Sequence, residues 1–432
     1  MIRTVLAAIV LTASTASAGG LHLPLRGVRS LERAGALVAG AEDADSLWQN
    51  PAGLGHLRGD GKRALLFDAA YVYQTVDYVA LDGATASNLQ PGHGIPTLAG
   101  ALGIGERLVI AGGMTAPYDS VHRYSTEDTT GSMTFVITAG AAYAVNDQLR
   151  IGATLQNHVT RLSHVLTTTA CTTAVCDPTD ASLAMRLAVT QSDYLAPAGS
   201  IGIQYNPTPA VALGATIQSP VRVSGTGTLA VQIPTAMMFS SASVRGDAAS
   251  LSYTLPPMVR AGVEVRPRAD LRIEVALDIE LWGIPDAITI APDGVAIENV
   301  TGGPYPLAEI SIARHGKTSF APSIGIEWHP RYMMFGAGYA YETSATPAGD
   351  VSLLSVDSAK HIIGFGGGYE AEGWQIGAAV GVALLADVDV SVSDAAVLQQ
   401  APLRDPPTTV PINAGRYESM FIVGGLRAAR RF

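Results

Sequence analysis

Charge is scarce in this 432-residue chain, where Asp, Glu, Lys and Arg make up 15% of the residues. An ordinary soluble domain carries about 25%. A disordered chain is polar and strongly charged, so the composition excludes disorder. There is no basic surplus either: 27 basic residues face 37 acidic ones, a net charge of −10. Such a chain has little with which to displace counterions from phosphates, and nucleic acid is not an expected partner. Cysteine is nearly absent. Cys171 and Cys176 are the two present, which excludes a disulfide-dense scaffold and a four-thiolate zinc site. Long hydrophobic runs are missing after the N-terminus, although 48% of the residues are hydrophobic. "IGAAVGVALLA" at 376–386 comes nearest, but a membrane helix needs about 20 apolar residues. Its Gly-spaced alternation reads as a strand.

Catalytic signatures are also lacking. There is no His-Glu-x-x-His run, no Gly-x-x-x-x-Gly-Lys phosphate loop and no Gly-x-Ser-x-Gly elbow. "GTGTLA" at 225–230 half-matches a dinucleotide fingerprint, yet no helical pattern comes after it. The nine His are scattered; His158 fits an inward face and His361 an outward one. No metal, no cofactor and no enzyme activity is expected.

What is present begins with an export signal. Met1–Ile2–Arg3 is a short basic start, Val5 to Leu11 is apolar, and Ala16–Ser17–Ala18 is a small-residue cleavage site. Residues 1–18 are therefore expected to be removed, with export to an oxidising compartment. There Cys171 and Cys176, in the polar run "TTTACTTAVCDPTD", are expected to pair and pin an external loop; two free thiols is the alternative.

From about residue 63 the chain alternates with period two. Leu271, Ile273, Val275, Leu277, Ile279 and Leu281 point one way, and Arg272, Glu274, Asp278 and Glu280 the other. Val259 to Arg266 repeats the pattern. A strand places one such set in lipid and the other in a wet interior. A soluble sandwich would alternate too, but recurrence over the whole chain with so little charge favours a barrel. Closed barrels are the other structure, besides helices, that spans a bilayer. Fourteen strands are expected, at 64–80, 95–103, 107–116, 132–144, 148–162, 184–205, 209–230, 250–266, 270–283, 318–329, 332–343, 358–370, 373–390 and 415–432. Short turns ("IGE", "VND", "NPT", "PRA", "PR", "AE") alternate with long polar loops, as in outer-membrane barrels. Pro267–Arg268–Ala269 is expected as a bulge-free turn setting Arg266 opposite Asp270 and Glu264 opposite Arg272. Residues 19–62 do not alternate, and form either a periplasmic extension or a plug in the lumen.

"AGALVAGAEDADSLWQNPAGL" at 34–54 resembles the N-terminal hatch of the FadL/TodX-type outer-membrane transporters, which carry long-chain fatty acids and other hydrophobic compounds. Asn50, Pro51 and Ala52 stand at the hatch motif. "YNPTPAVALGATIQSPVRVSGTGTL", "LPPMVRAGVEVRPRADLRIEVALDIELWG" and "FAPSIGIEWHPRYMMFGAGYAYETSATP" resemble later segments, so the likeness spans the mature chain. The resemblance implies an all-β, transmembrane antiparallel barrel of 14 strands (63–432) with an N-terminal hatch (19–62). It implies a monomer in a Gram-negative outer membrane, in contact with outer-membrane lipid. Long-chain fatty acids, or else aromatic hydrocarbons and other apolar molecules, would be captured outside and diffuse through without a cofactor. A lipid-modifying enzyme or an adhesive barrel is the rival class. In the family a kinked third strand opens the wall; Gly112–Gly113 is the candidate kink, or simply a pair that eases crowding. A carboxylate head group would be held by Arg or Lys. By parity the inward candidates are Arg222, Arg260 and Lys360, and Arg186 is a further one. Arg314 and Lys317 fall in an external loop. The chain ends in Phe432, as outer-membrane barrels commonly do, but Arg430 stands where an apolar residue is usual.

Overall fold

The computed structural model describes residues 27–118, 120–124, 129–173, 175–284, 287–405 and 408–432. The expected export signal and residues 19–26 lie outside the described residues.

Fourteen antiparallel strands form a closed wall. They are β1 (Arg63–Ala80), β2 (Gly92–Ile104), β3 (Leu108–Thr115, resuming at Ser120–Arg123), β4 (Thr129–Ala144), β5 (Leu149–Thr169), β6 (Ala184–Thr208) and β7 (Val211–Gln218, resuming at Val221–Gln232). Next come β8 (Ala248–Leu255, resuming at Met258–Arg268), β9 (Leu271–Leu281), β10 (Thr318–Trp328), β11 (Met333–Glu342), β12 (Lys360–Ala371), β13 (Trp374–Leu385) and β14 (Gly415–Arg431). Each strand pairs with the next, and β14 closes on β1 from Ala64↔Arg431 to Ala80↔Gly415. No edge strand is left to aggregate.

The alternation is inside-out. Leu65, Phe67, Leu155, Ile201 and Leu426 are exposed on the outer face, while Asp68, Glu264, Glu274, Glu327 and Arg427 are buried on the inner one. A soluble sandwich hides its apolar face, so the sandwich alternative is excluded.

Proline breaks two of the expected strands. Ser219–Pro220 divides β7 and Pro256–Pro257 divides β8, because Pro gives no N–H to a ladder. Pro267 has a similar effect in the β8–β9 hairpin. The expected three-residue turn is not made: the register shifts between Val265 and Arg268, and Arg268 pairs Leu271 across a two-residue turn. Glu264 therefore stands opposite Glu274, not Arg272. Arg272 still reaches Glu264 diagonally at 3.0 Å. Arg266 bonds Glu264 on its own strand at 2.9 Å, and Asp270 pairs with Arg268 at 3.1 Å.

Residues 27–62 contain two short helices, α1 (Val28–Glu32) and α2 (Ser46–Gln49), and a 3-10 turn, Pro51–Leu57. They contact inward side chains of strands from round the whole wall. At the other end of the barrel, long connections carry a small sheet of Ser243–Arg245, Ala296–Glu298 and Tyr305–Pro306.

Candidate functional site

The N-terminal segment is seated on glycines. Inward glycines leave the wall without side chains where the segment's backbone approaches. A Cβ on Gly202 would overlap Asn50 Oδ1, and one on Gly152 would overlap the Pro51 carbonyl. Across the barrel, Gly338 and Gly364 make room for the Arg33 and Leu31 carbonyls. Asn50, the hatch-motif candidate, uses its whole amide. Its Nδ2 donates to the carbonyls of Val38 and of Ile203 on β6, both at 3.0 Å, and Oδ1 accepts from Ala52 N at 3.2 Å. Pro51 stands at the first position of the 3-10 turn, where its missing N–H costs nothing. Trp48 Nε1 donates to Thr138 Oγ1 on β4 at 2.9 Å.

Buried ion pairs fasten the same segment. Arg33 reaches Glu264 at 3.1 Å, Glu274 at 2.9 Å and Glu327 at 3.0 Å. Arg29 grips Glu327 with two bonds of 2.8 and 2.9 Å. From the wall, Arg427 takes Asp43 at 2.5 Å and Asp45 at 3.1 Å. Glu274 also accepts the backbone N–H groups of Val38, Ala39 and Gly40. Two like charges opposed across a ladder repel; here Arg33 lies between them. Sequence parity placed these acids inward, but gave no sign that their partners stand 230 or more residues away.

The wall has a gap, and it is not where Gly112–Gly113 would put it. Both glycines keep ladder partners on either side, Gly112 with Gly100 and Ala139, Gly113 with Ala99 and Thr138. The break comes after Thr115, at Ala116–Pro117–Tyr118, where Pro cannot donate. On the β3 side the β2 ladder stops at Thr97↔Thr115. Among the described residues, Gly92–Pro96 thus pair with β1 alone. The gap is bounded by the Thr97–Thr115 hydroxyl bond of 2.8 Å and by Leu89 N donating to Arg123 O at 2.7 Å. Tyr118 turns inward from the break and is buried.

Tyr118 leads into an apolar chamber below the long connections. Leu162, Leu166, Leu251, Leu255, Ile290 and Ile312 line it, and Tyr253, His164, Arg314, Asp350 and several Ser and Thr side chains supply polar groups. The Arg314 guanidinium lies 5.3 Å from the Trp282 ring centroid. Its buried Nη1 has no hydrogen-bond partner among the described residues.

The three inward candidates fare differently. Arg260 is buried and inward, but it holds Asp278 at 3.1 Å and Gln49 Oε1 at 3.2 Å. Lys360 is buried between Glu342 at 3.1 Å and Asp357 at 3.5 Å. Arg222 faces outward, a correction to the parity count. The break at Ser219–Pro220 shifts the alternation, so the odd positions Val221 and Val223 turn inward beyond it. The irregularity of the β5–β6 ladder near Thr160 shifts β6 likewise, and Arg186 lies between the inward Met185 and Leu187. Lys317 is exposed. His158 is inward and buried, and His361 is exposed. Cys171 and Cys176 are joined as a disulfide in the β5–β6 connection. Arg430 at the barrel's rim lies between the rings of Trp374 and Phe432, 4.7 and 4.5 Å from their centroids, which offsets the cost of a lipid-facing cation.

A closed barrel with an apolar outside, an ion-paired segment within and an apolar chamber beside a wall gap defines a membrane channel protein. The chain belongs to the outer membrane transport protein family (OMPP1/FadL/TodX), whose model matches residues 9–432. It is therefore a Gram-negative outer-membrane protein of a family of hydrophobic-compound channels. Its fold is similar to that of a Pseudomonas aeruginosa FadL homologue, with a TM-score of 0.79 and 16% identity over 95% of this chain and 99% of that one. The CymD monoaromatic hydrocarbon channel gives 0.67 and 15%, over 94% and 97%. The P. putida toluene transporter TodX gives 0.64 and 17%, over 93% and 99%. No curated protein matches in sequence.

Proposed function

We propose that the chain is a passive, monomeric uptake channel for long-chain fatty acids. The ligand's tail occupies the apolar chamber, and its carboxylate is held by Arg314. It leaves sideways through the gap at Ala116–Tyr118, while residues 19–62 act as a hatch that denies small polar solutes a continuous pore. Arg314 carries this reading. A guanidinium with an unpartnered N–H beside an apolar chamber is suited to an amphiphile with one anionic end. Uptake of aromatic hydrocarbons is the second reading. The apolar lining favours it, as do the hydrocarbon and toluene channels of the same fold.

The two readings part at Arg314→Leu. A hydrogen bond to a charged group contributes about 1.5–3 kcal/mol. Loss of the guanidinium is expected to weaken fatty acid binding by about tenfold or more while leaving toluene uptake unchanged. Labelled-ligand uptake by cells producing each form measures both. Unaltered fatty acid binding in the variant removes the head-group assignment.

A further inference from the structure

Glu32 ends α1 and is fully buried. Neither of its carboxyl oxygens has a hydrogen-bond partner among the described residues. It lies against Gly336 on β11 and Gly366 on β12, where a Cβ on either glycine would overlap it. The charges that face it are Arg29 and Arg33 from its own segment, Glu327 from β10 and Arg427 from β14. The three guanidiniums are engaged elsewhere. Arg29 and Arg33 hold Glu327, and Arg33 also holds Glu264 and Glu274. Arg427 holds Asp43, Asp45 and Asp68. Glu327, the acid that faces it, repels a second negative charge.

We propose that the Glu32 carboxyl is a proton-operated latch: protonated, it lets α1 lie against the wall, and ionised, it favours release of α1 and opens the lumen to small polar solutes. An ionised carboxylate buried without a partner is expensive, whereas the neutral acid costs far less. The proposal rests on residues 19–62 being the hatch.

The sign comes from linkage. Burial, and then Glu327, push the docked Glu32 carboxyl up to about 8, against an ordinary value of 4.5. The docked segment therefore holds a proton that the released one gives up. Docking is strongest below the ordinary value, weakens by up to about tenfold per pH unit as pH rises, and levels off above about 8. Asp45 is buried in the same segment, but it has Arg427 at 3.1 Å. It is common to the wild type and the Glu32 variant, so their difference isolates Glu32.

The experiment uses the full chain in liposomes, with leakage of a small sugar measured at pH 6.5 and 8.5. Wild type should leak several-fold faster at the higher pH. Glu32→Gln keeps shape and neutrality, and should stay low at both. Equal pH dependence in the two forms, or none in wild type, overturns the latch. A second measurement needs no variant: tryptic cutting after Arg29 and Arg33 in wild type should rise from pH 6.5 to 8.5, corrected for the protease's own profile. Constant cutting is contrary to the proposal. A barrel lacking residues 19–62 separates the two failures. If it leaks freely while wild type ignores pH, the latch falls and the hatch stands; if it leaks no more than wild type, the hatch itself falls.

Discussion

At the scale of single residues, Asn50 shows how much one side chain fixes. Its amide ties two carbonyls, one of its own segment and one of the wall. Asn50→Ala leaves Val38 O and Ala52 N without those bonds, and unmet buried polar groups cost about 1–3 kcal/mol each. The expected outcome is altered fatty acid uptake with the barrel still shifting on a gel when heated. Unchanged uptake would make the motif a simple turn. Asn50 drew notice in the sequence because Asn-Pro-Ala-Gly-Leu is a local string. Arg314 was placed in an external loop, but its position beside the chamber was not legible, because distant strands build that chamber. Arg222 was misplaced because a parity count holds only while the ladder is regular, and Pro220 interrupts it.

At the scale of elements, strand existence was legible almost throughout, since period-two alternation is imposed by lipid on one side and ions on the other. Strand interruptions were less so. Prolines 117, 220, 257 and 267 mark three breaks and a bulge, and each shifts the facing or pairing of the residues beyond it. The inward glycines hold a signal that alternation alone does not expose. Gly202 and Gly152 are ladder partners, and together they form a seat for Asn50 and Pro51. Gly202→Val fills that seat while leaving the outer face untouched. The barrel is expected to assemble, with the segment displaced and its Arg29 and Arg33 sites open to trypsin. A variant whose segment stays as protected as in wild type would show that the seat is not needed.

At the scale of the whole molecule, closure and inversion go together. With all 14 strands paired in a ring, backbone groups away from the gap are satisfied without water, and the outer face is free to be apolar. The buried ion pairs hold the segment in place more than they stabilise the wall, because desolvation offsets much of their attraction. Removing residues 19–62 is accordingly expected to leave a heat-modifiable barrel that admits small sugars. A deleted barrel as tight as the intact one would contradict the hatch. Uptake of a labelled long-chain fatty acid and of a labelled sugar, compared in cells with and without the intact chain, tests the central claim most directly. The account predicts that the chain speeds fatty acid entry and leaves sugar entry unchanged; equal fatty acid entry with and without it would contradict the account.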